Sequence, residues 1–546
     1  MKAVLKDNEI HITDSFDAKD LIKEIPGRRW SPAQKAWIIP VTVEAIDSLR
    51  RIRGHIDPEI NKIYADMIKT QVATDAIRLS ENIKPIEPMP VKVKPFQHQV
   101  RGYNMALENN AFGYLFEMGC GKTLTSLATV GRRYLRGEVT QLLIVAPKSV
   151  VYVWPKEFDE YADFPVECKV LEGSTSQKVS ILKSFREKGK LRVAVINYES
   201  TWRMLDELIS WKPDMIIADE SQRIKSPSAE QSKAMHKLGK VAKYKLILSG
   251  TPVQNSPLDV FSQWKFLDER IFGTSYYAFR ARYAVLGGYG NHQVVGYNNL
   301  DELIKKAHSI SYRVTKEEAL DLPETTDEYR YCELEPKARK IYEQIRRESY
   351  AELERGEVIA TNILTKLLRL QQITGGYLTS EDGATVQISK TKLEALFEIV
   401  EDVVMDSGKK IVIFARFLPE IDAIKALLDG KAEYSYITGD VKDRGEQVRR
   451  FQEDPNVKVF IAQIQTAGLG ITLHAADTAV FYSLDFNLAN YQQSRARIHR
   501  IGQRNACTYI HLIAPGTVDE KIMKALAIKE DMAKRVVDSW RDYFGK

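Results

Sequence analysis

The chain has 546 residues, 44% hydrophobic and 28% charged, with a formal net charge of +6. That length implies about three or four domains of ordinary globular composition, and it excludes collagenous and low-complexity classes. Four cysteines (Cys120, Cys168, Cys332, Cys507) form no C-x-x-C pair, no uncharged apolar run approaches a membrane span, and the N-terminus lacks a signal-peptide core. Zinc-ribbon, secreted-disulfide and membrane classes therefore drop out, leaving a soluble protein of a reducing intracellular compartment, and the modest positive charge is compatible with a polyanion partner.

In chain order, the first predicted unit spans 1–55. Its opening alternates polar and apolar residues, and Arg28, Arg29 and Lys35 interleave with Trp30 and Trp37. Cations beside aromatic surface suit contact with nucleic-acid phosphates, although Trp37, inside "AWIIPV", reads as core. Residues 56–90 read as a helical and proline-rich linker. Its end lies within "NIKPIEPMPVKVKPF" (82–96), where four prolines stand among charges, and few core contacts are expected to cross it.

Next comes "YLFEMGCGKTLTSL" (114–127), which ends in the Gly-Lys-Thr of a phosphate loop but has Phe116 where the general pattern has glycine. Gly119 and Gly121 flank Cys120, so the backbone can turn successive N–H groups toward an anion. Lys122 is then placed to reach the β- and γ-phosphates and Thr123 to hold Mg²⁺, at the mouth of a helix whose N-terminus favours phosphate.

Four apolar segments follow: "QLLIVAPKS" (141–149), "LRVAVINYES" (191–200), "PDMIIADESQ" (213–222) and "KYKLILSGTPVQN" (243–255). Strands alternating with helices, each with polar residues at its carboxyl end, predict a doubly wound α/β parallel sheet with ligands at that edge. Asp219 and Glu220 close one such strand. One carboxylate can hold Mg²⁺ through its water shell while the other orients and deprotonates an attacking water.

Residues 273–299 read as loop, as do 371–390. The second half repeats the strand–helix alternation in "GKKIVIFARF" (408–417), "YSYITGD" (434–440), "VKVFIAQIQTAGLGITL" (457–473) and "TAVFYSLDFN" (478–487). It ends in "NYQQSRARIHRIGQ", where Gln493, Arg497 and Arg500 fall on one helical face. Guanidinium groups in such a place stabilise charge developing on a γ-phosphate.

The order "FEMGCGKT", "DESQ", "LSGTPVQN", "TAGLGITL" and "QSRARIHRIGQ" resembles motifs I, II, III, V and VI of the Swi/Snf-type helicase-like ATPases of superfamily two, over about residues 91–525. In that family "DEMGLGKT" replaces the general loop pattern, so Phe116 is no obstacle. The departures are Phe116 for an acid, Cys120 for leucine, Gln222 for histidine and "DFNL" near 485–488; the Gln222 change could alter how hydrolysis couples to motion. The resemblance implies two RecA-like lobes, at 91–255 and 385–525, with helical insertions at 256–384 and a final helix at 526–546.

It also implies ATP and Mg²⁺ as cofactors and sequence-nonspecific DNA, duplex or forked, as partner, with the protein acting as a monomer. Gln99 would read the adenine edge with Phe96 packed near it, and Gly119, Cys120, Gly121, Lys122, Thr123 and Gln493 would line the nucleotide. Arg497 and Arg500 would be arginine fingers, and Lys148, Tyr198, Arg416 and Thr466 would face the DNA backbone. Residues 15–52, through the frame from Phe16 to Pro40, resemble the HARP domain of annealing-helicase relatives, with Arg28 and Arg29 on DNA. The expected activity is duplex translocation with remodelling of branched DNA, by fork regression and strand annealing, or of DNA–protein complexes, in the cytoplasm at the nucleoid for a prokaryotic or viral source and in the nucleus for a eukaryotic one. The alternatives are an ATP-regulated clamp without turnover and a translocase that displaces RNA polymerase.

Overall fold

The computed structural model describes residues 1–538 apart from 7–8, 82, 188, 289, 291–292, 356–359, 380–383 and 470, with backbone alone at 348–355, 360–364 and 467–469. The chain divides into two units, Met1–Thr315 with Met532–Lys546, and Lys316–Asp531.

The first unit begins with a small α+β domain. Strands β1 (Lys2–Lys6), β2 (Glu9–Thr13), β3 (Arg29–Ser31), β4 (Ala36–Pro40) and β5 (His55–Ile56) lie in the order β3-β4-β2-β1-β5. The sheet is antiparallel except where β5 runs parallel to β1. One face buries Ile10, Ile12 and Ile39 against Ile22 of helix α1 (Lys19–Glu24) and against Ile46 and Leu49 of α2 (Val43–Arg50). Alternation in "EIHIT" gives that one-sided burial. Trp37 is partly buried against this core, as its strand context predicts, whereas Trp30 is 47% exposed and meets Trp37 edge-on at 5.3 Å.

Residues 56–90 contain the expected helix, but the segment packs into the unit where few contacts were expected to cross it. Helix α3 (Pro58–Leu79), capped by Asp57 with proline in its first turn, carries Thr74 and Arg78 into the body of the unit. Arg78 donates to the carbonyls of His308 (2.6 Å) and Ser311 (3.2 Å), and Asn109 donates to the Thr74 hydroxyl at 2.8 Å. The proline stretch is strapped down too. Extended, proline-held backbone leaves its carbonyls free, and side chains of α4 (Gln97–Glu108) take them. Asn104 binds the Lys84 carbonyl at 2.8 Å and the Ile86 N–H at 3.0 Å, while Tyr103 donates to the carbonyls of Glu87 and Pro88.

The main sheet of this unit contains β6 (Ala111–Phe116), β7 (Gln141–Ala146), β8 (Val166–Val170), β9 (Leu191–Asn197), β10 (Met215–Asp219) and β11 (Tyr244–Leu248). The hairpin β12 (Ala284–Gly287) and β13 (Gln293–Tyr297) follows, then a last sheet strand, β14 (Ser311–Val314). The order is β14-β6-β11-β10-β7-β9-β8, every neighbour parallel. Runs such as "AFGYLF" are apolar throughout because helices cover both faces. Residues 273–299, expected as loop, contain the helix Tyr276–Tyr283, whose Phe279 and Tyr283 pack one turn apart, as well as the β12–β13 hairpin.

In the second unit, β15 (Thr325–Tyr331), β18 (Ile411–Ala415), β19 (Glu433–Ile437), β20 (Val457–Gln463), β21 (Thr478–Phe481) and β22 (Cys507–Ile513) form a second parallel sheet. Its order is β15-β22-β21-β18-β20-β19; β16 (Tyr377–Thr379) and β17 (Thr385–Gln387) make a separate hairpin. Two helices, Pro336–Arg355 and Ala360–Thr374, lie within the span expected to hold helical insertions.

The expected lobe boundaries at 255 and 385 need correction. The first sheet extends to β14 and the second begins at β15, both inside the span assigned to helical insertions. Each is an edge strand, and β15 is exposed throughout, so it lacks the apolar run that marks the central strands. The C-terminal helix begins at Val518 and not at 526.

Candidate active site

In the first unit the phosphate loop joins β6 to helix α5 (Lys122–Leu135). Gly119 (φ +90°) and Gly121 (φ +80°) both occupy backbone space that side chains resist. At Gly121 the reason is also steric, because a Cβ there would lie 1.9 Å from the Gln99 amide nitrogen. Helix α4 is thus pressed against the loop. His98 meets the Cys120 carbonyl at 2.8 Å, Gln99 donates to it at 3.5 Å, and the Gln99 oxygen accepts from the Phe96 N–H at 2.8 Å. Gln99 is buried, so in this structure it braces the loop and caps α4 while Phe96, 51% exposed, stacks on His98.

Lys122 folds back to donate to the Phe116 carbonyl at 3.0 Å. Two strands away, Asp219 ends β10 at 8% exposure. Its two oxygens accept from the Trp154 indole N–H (3.1 Å) and the Glu220 N–H (3.0 Å). Burial, with the Glu220 carboxylate beside it, raises the Asp219 carboxyl to about 7 against the pull of Lys122.

Glu220 adopts φ +50°, a left-handed turn that lets consecutive acids leave the strand in different directions. A relay then runs into the next strand end. Gln222 donates to Glu220 at 2.7 Å, the Ser249 hydroxyl donates to the Gln222 oxygen at 2.7 Å, and the Thr251 N–H donates to Ser249 at 3.1 Å. The Asp219 carboxylate, near enough to Lys122 to feel its charge, and the hydroxyl of Thr123, next to that lysine in the chain, are hard oxygen donors of the kind that suits Mg²⁺.

In the second unit the helix Leu488–Ile498 carries Gln493 and Arg497 but stops before Arg500, contrary to the expected shared helical face. The chain turns at His499 (ψ 84°), and the guanidiniums nevertheless converge: Arg497 and Arg500 both donate to the Ile471 carbonyl at 3.4 Å. Burial lowers the Arg500 pKa from its ordinary value.

The SNF2-related domain family matches residues 96–375, and the helicase conserved C-terminal domain matches 391–502. The chain belongs to the SNF2-related family. A Caenorhabditis elegans SWI/SNF-related matrix-associated actin-dependent regulator of chromatin subfamily A-like protein 1 homolog is 28% identical across 95% of this chain and 72% of its own length. The human DNA annealing helicase and endonuclease ZRANB3 is 28% identical over 81% of this chain but 40% of that protein. Two further curated relatives are spanned over 42% and 24% of their length, so the chain covers less than half of most of these relatives. Among solved structures, the Sulfolobus solfataricus SWI2/SNF2 ATPase core in complex with dsDNA is 25% identical, covering 84% of this chain and 96% of that one, with a TM-score of 0.41.

Within this SNF2-related chain the residues expected on DNA divide. Tyr198 is a correction: it is fully buried and its hydroxyl donates to the Asp219 carbonyl at 2.7 Å, so it supports the acid strand from below. Lys148 is exposed at the end of β7. Thr466 donates to the Gln463 carbonyl at 2.6 Å, closing its own turn, and Arg416 is half-buried beside Gln371, to which it donates. Arg28 is exposed, and Arg29 pairs with Glu9 at 2.6 Å while remaining 57% exposed. Sequence reasoning missed Trp154, His98, Ser249 and a basic group around Lys148, in which burial, Arg203 and Lys148 together lower the Lys178 pKa. Trp202, 45% exposed, adjoins this group with Arg203 over its ring. The polar and basic residues of "PKS" and "NYESTWR" at two strand ends were the available signal for the basic group.

Proposed function

We propose that this chain is a DNA-dependent ATPase that moves along duplex DNA and remodels branched DNA by fork regression and strand annealing. The placing of Lys122, after β6, and of Asp219 and Glu220, at the end of β10, along one edge of the parallel sheet carries the reading. The loop N–H groups from Gly119 to Thr123 cradle the β- and γ-phosphates, and Lys122 exchanges the Phe116 carbonyl for phosphate oxygens. Thr123 and Asp219 would hold Mg²⁺, which supplies positive charge to those oxygens.

Glu220, held by Gln222, orients the attacking water and takes its proton as the water oxygen bonds to the γ-phosphorus and ADP departs. Arg497 and Arg500 supply charge to the γ-phosphoryl as it transfers. Loss of the γ-phosphate changes what Glu220 faces, and the Gln222–Ser249 relay passes that change to the turn at Thr251.

DNA is gripped through its backbone by Lys148, Lys178 and Arg203 in the first unit, by Arg416 and Thr466 in the second, and by Arg28 and Arg29 in the HARP-like domain. Such contacts ignore sequence and weaken with salt. The likeness to ZRANB3, a DNA annealing helicase and endonuclease, supports the branched-DNA part. The test measures ATP turnover with no DNA, single strands, duplex and forks, together with regression of a labelled fork. Turnover indifferent to DNA would sink the proposal; turnover stimulated by duplex without fork regression would leave a plain translocase.

A further inference from the structure

Arg313 lies on β14, the edge strand beside β6, with a side chain only 6% exposed. A buried guanidinium is costly unless its N–H groups find partners. Here Nη1 donates to the carbonyls of Leu115 (3.1 Å) and Gly250 (3.0 Å), Nη2 to Glu117 Oε1 (2.7 Å), and Nε to Asp538 Oδ1 (2.7 Å). Leu115 and Glu117 bracket the start of the phosphate loop, Gly250 is the turn after β11, and Asp538 ends the C-terminal helix, 225 positions away in sequence.

Two of these partners are backbone, so the guanidinium pins the end of β6 to the turn after β11. The fit is close: a Cβ on Gly250 would stand 3.3 Å from the Phe116 carbonyl and 3.6 Å from the Glu117 Cα. That same Phe116 carbonyl accepts from Lys122. Any movement of Arg313 therefore reaches the segment that aims the loop lysine. The other two partners are carboxylates from different parts of the chain sharing one cation. Met532, Ala533, Val536 and Val537 hold the helix end against the first unit's core, so Asp538 is presented by packing that does not depend on its charge.

We propose that Arg313 is a positioning residue for ATP hydrolysis, and that Asp538, at the end of the C-terminal helix, sets how firmly Arg313 holds the phosphate loop. This rests on reading Gly119–Thr123 as the ATP site. With Asp538 in place the guanidinium is fixed along both edges and keeps both carbonyls. Without that carboxylate Arg313 turns toward Glu117 alone, and the loop loses its preorganised shape before nucleotide arrives.

The test is steady-state ATP turnover of the full chain with saturating duplex, for wild type, Asp538→Asn, Glu117→Gln and the double variant, with thermal midpoints alongside. Each single change raises KM for ATP about 5-fold with kcat within about twofold and midpoints unmoved. The double variant falls short of the product of the singles, because both act through one guanidinium. An unchanged KM in both singles, or effects that multiply in the double, overturns the proposal. Lys122→Ala separates the two levels. A dead Lys122→Ala beside an indifferent Asp538→Asn removes the positioning role and keeps the ATP site. An active Lys122→Ala removes the ATP-site reading and this proposal with it.

Discussion

Asp219→Asn tests the electrostatics of the site without any nucleotide. In the folded chain the Asp219 carboxyl stands at about 7, against an ordinary value of 3.8. Between about pH 4 and 7 the folded protein therefore binds more protons here than the unfolded chain, so unfolding free energy falls as pH rises through that window. The difference of about 3 pKa units corresponds to about 4 kcal/mol, fully lost above pH 7. Asparagine removes this penalty but has one oxygen where the carboxylate uses two, for Trp154 and for Glu220 N–H, at a cost of about 1–2 kcal/mol. The variant should thus gain roughly 2–3 kcal/mol at pH 8, or about 3–4 °C in the transition of a unit of this size. Thermal melts of both proteins from pH 5 to 8 without divalent cations measure it. The gap should open with pH, and Mg²⁺ with ADP should stabilise the wild type but not the variant. Parallel pH profiles would refute the argument.

Lys122→Ala should abolish hydrolysis, and Glu220→Gln should keep ATP binding while stopping turnover; radiolabelled-ATP assays and equilibrium binding separate the two. Arg497→Ala and Arg500→Ala should each lower kcat by about 10³-fold with little change in ATP affinity. Loss of DNA affinity alone, at full saturated turnover, would make them phosphate-backbone ligands. Deleting residues 1–57 should preserve basal hydrolysis and weaken fork binding. Deletion to residue 91 should instead destabilise the chain by several kcal/mol, because removing Arg78 leaves the His308 and Ser311 carbonyls buried and unmatched; equal melts for the two truncations would contradict this. Arg28→Ala with Arg29→Ala should reduce the salt slope of DNA binding by up to about two phosphates.

The parts legible in sequence were those with local signatures. Glycines at 119 and 121, acids at 219 and 220, and apolar runs ending in polar residues each express a backbone or burial requirement within a few positions. What escaped depends on distant partners. Arg78 lies in a segment that read as linker, and the carbonyls that take its buried guanidinium are more than two hundred positions away. The proline stretch gave a linker signature because prolines hold extended backbone, which also offers carbonyls to Tyr103 and Asn104. Tyr198 stood beside polar residues at a strand end, yet its ring turned inward under Asp219. Edge strand β14 is four residues long and carries a buried arginine, and edge strand β15 is exposed throughout, so no apolar run marked the true lobe limits.

The glutamine in "DESQ" illustrates how a departure can preserve a function. A relay between Glu220 and Ser249 needs one group that donates at one end and accepts at the other. A neutral imidazole does both, but it titrates near pH 6.5 and then donates from both nitrogens, breaking the acceptance from Ser249. The Gln222 amide donates through nitrogen to Glu220 and accepts through oxygen from Ser249, and it keeps that polarity at every pH. Asp219, whose carboxyl is raised by burial and by the Glu220 charge, would have to lose its proton before it could hold a divalent cation. Below about pH 7 metal binding competes with that proton, so the pH dependence of turnover should report metal loading at Asp219 while the relay stays intact.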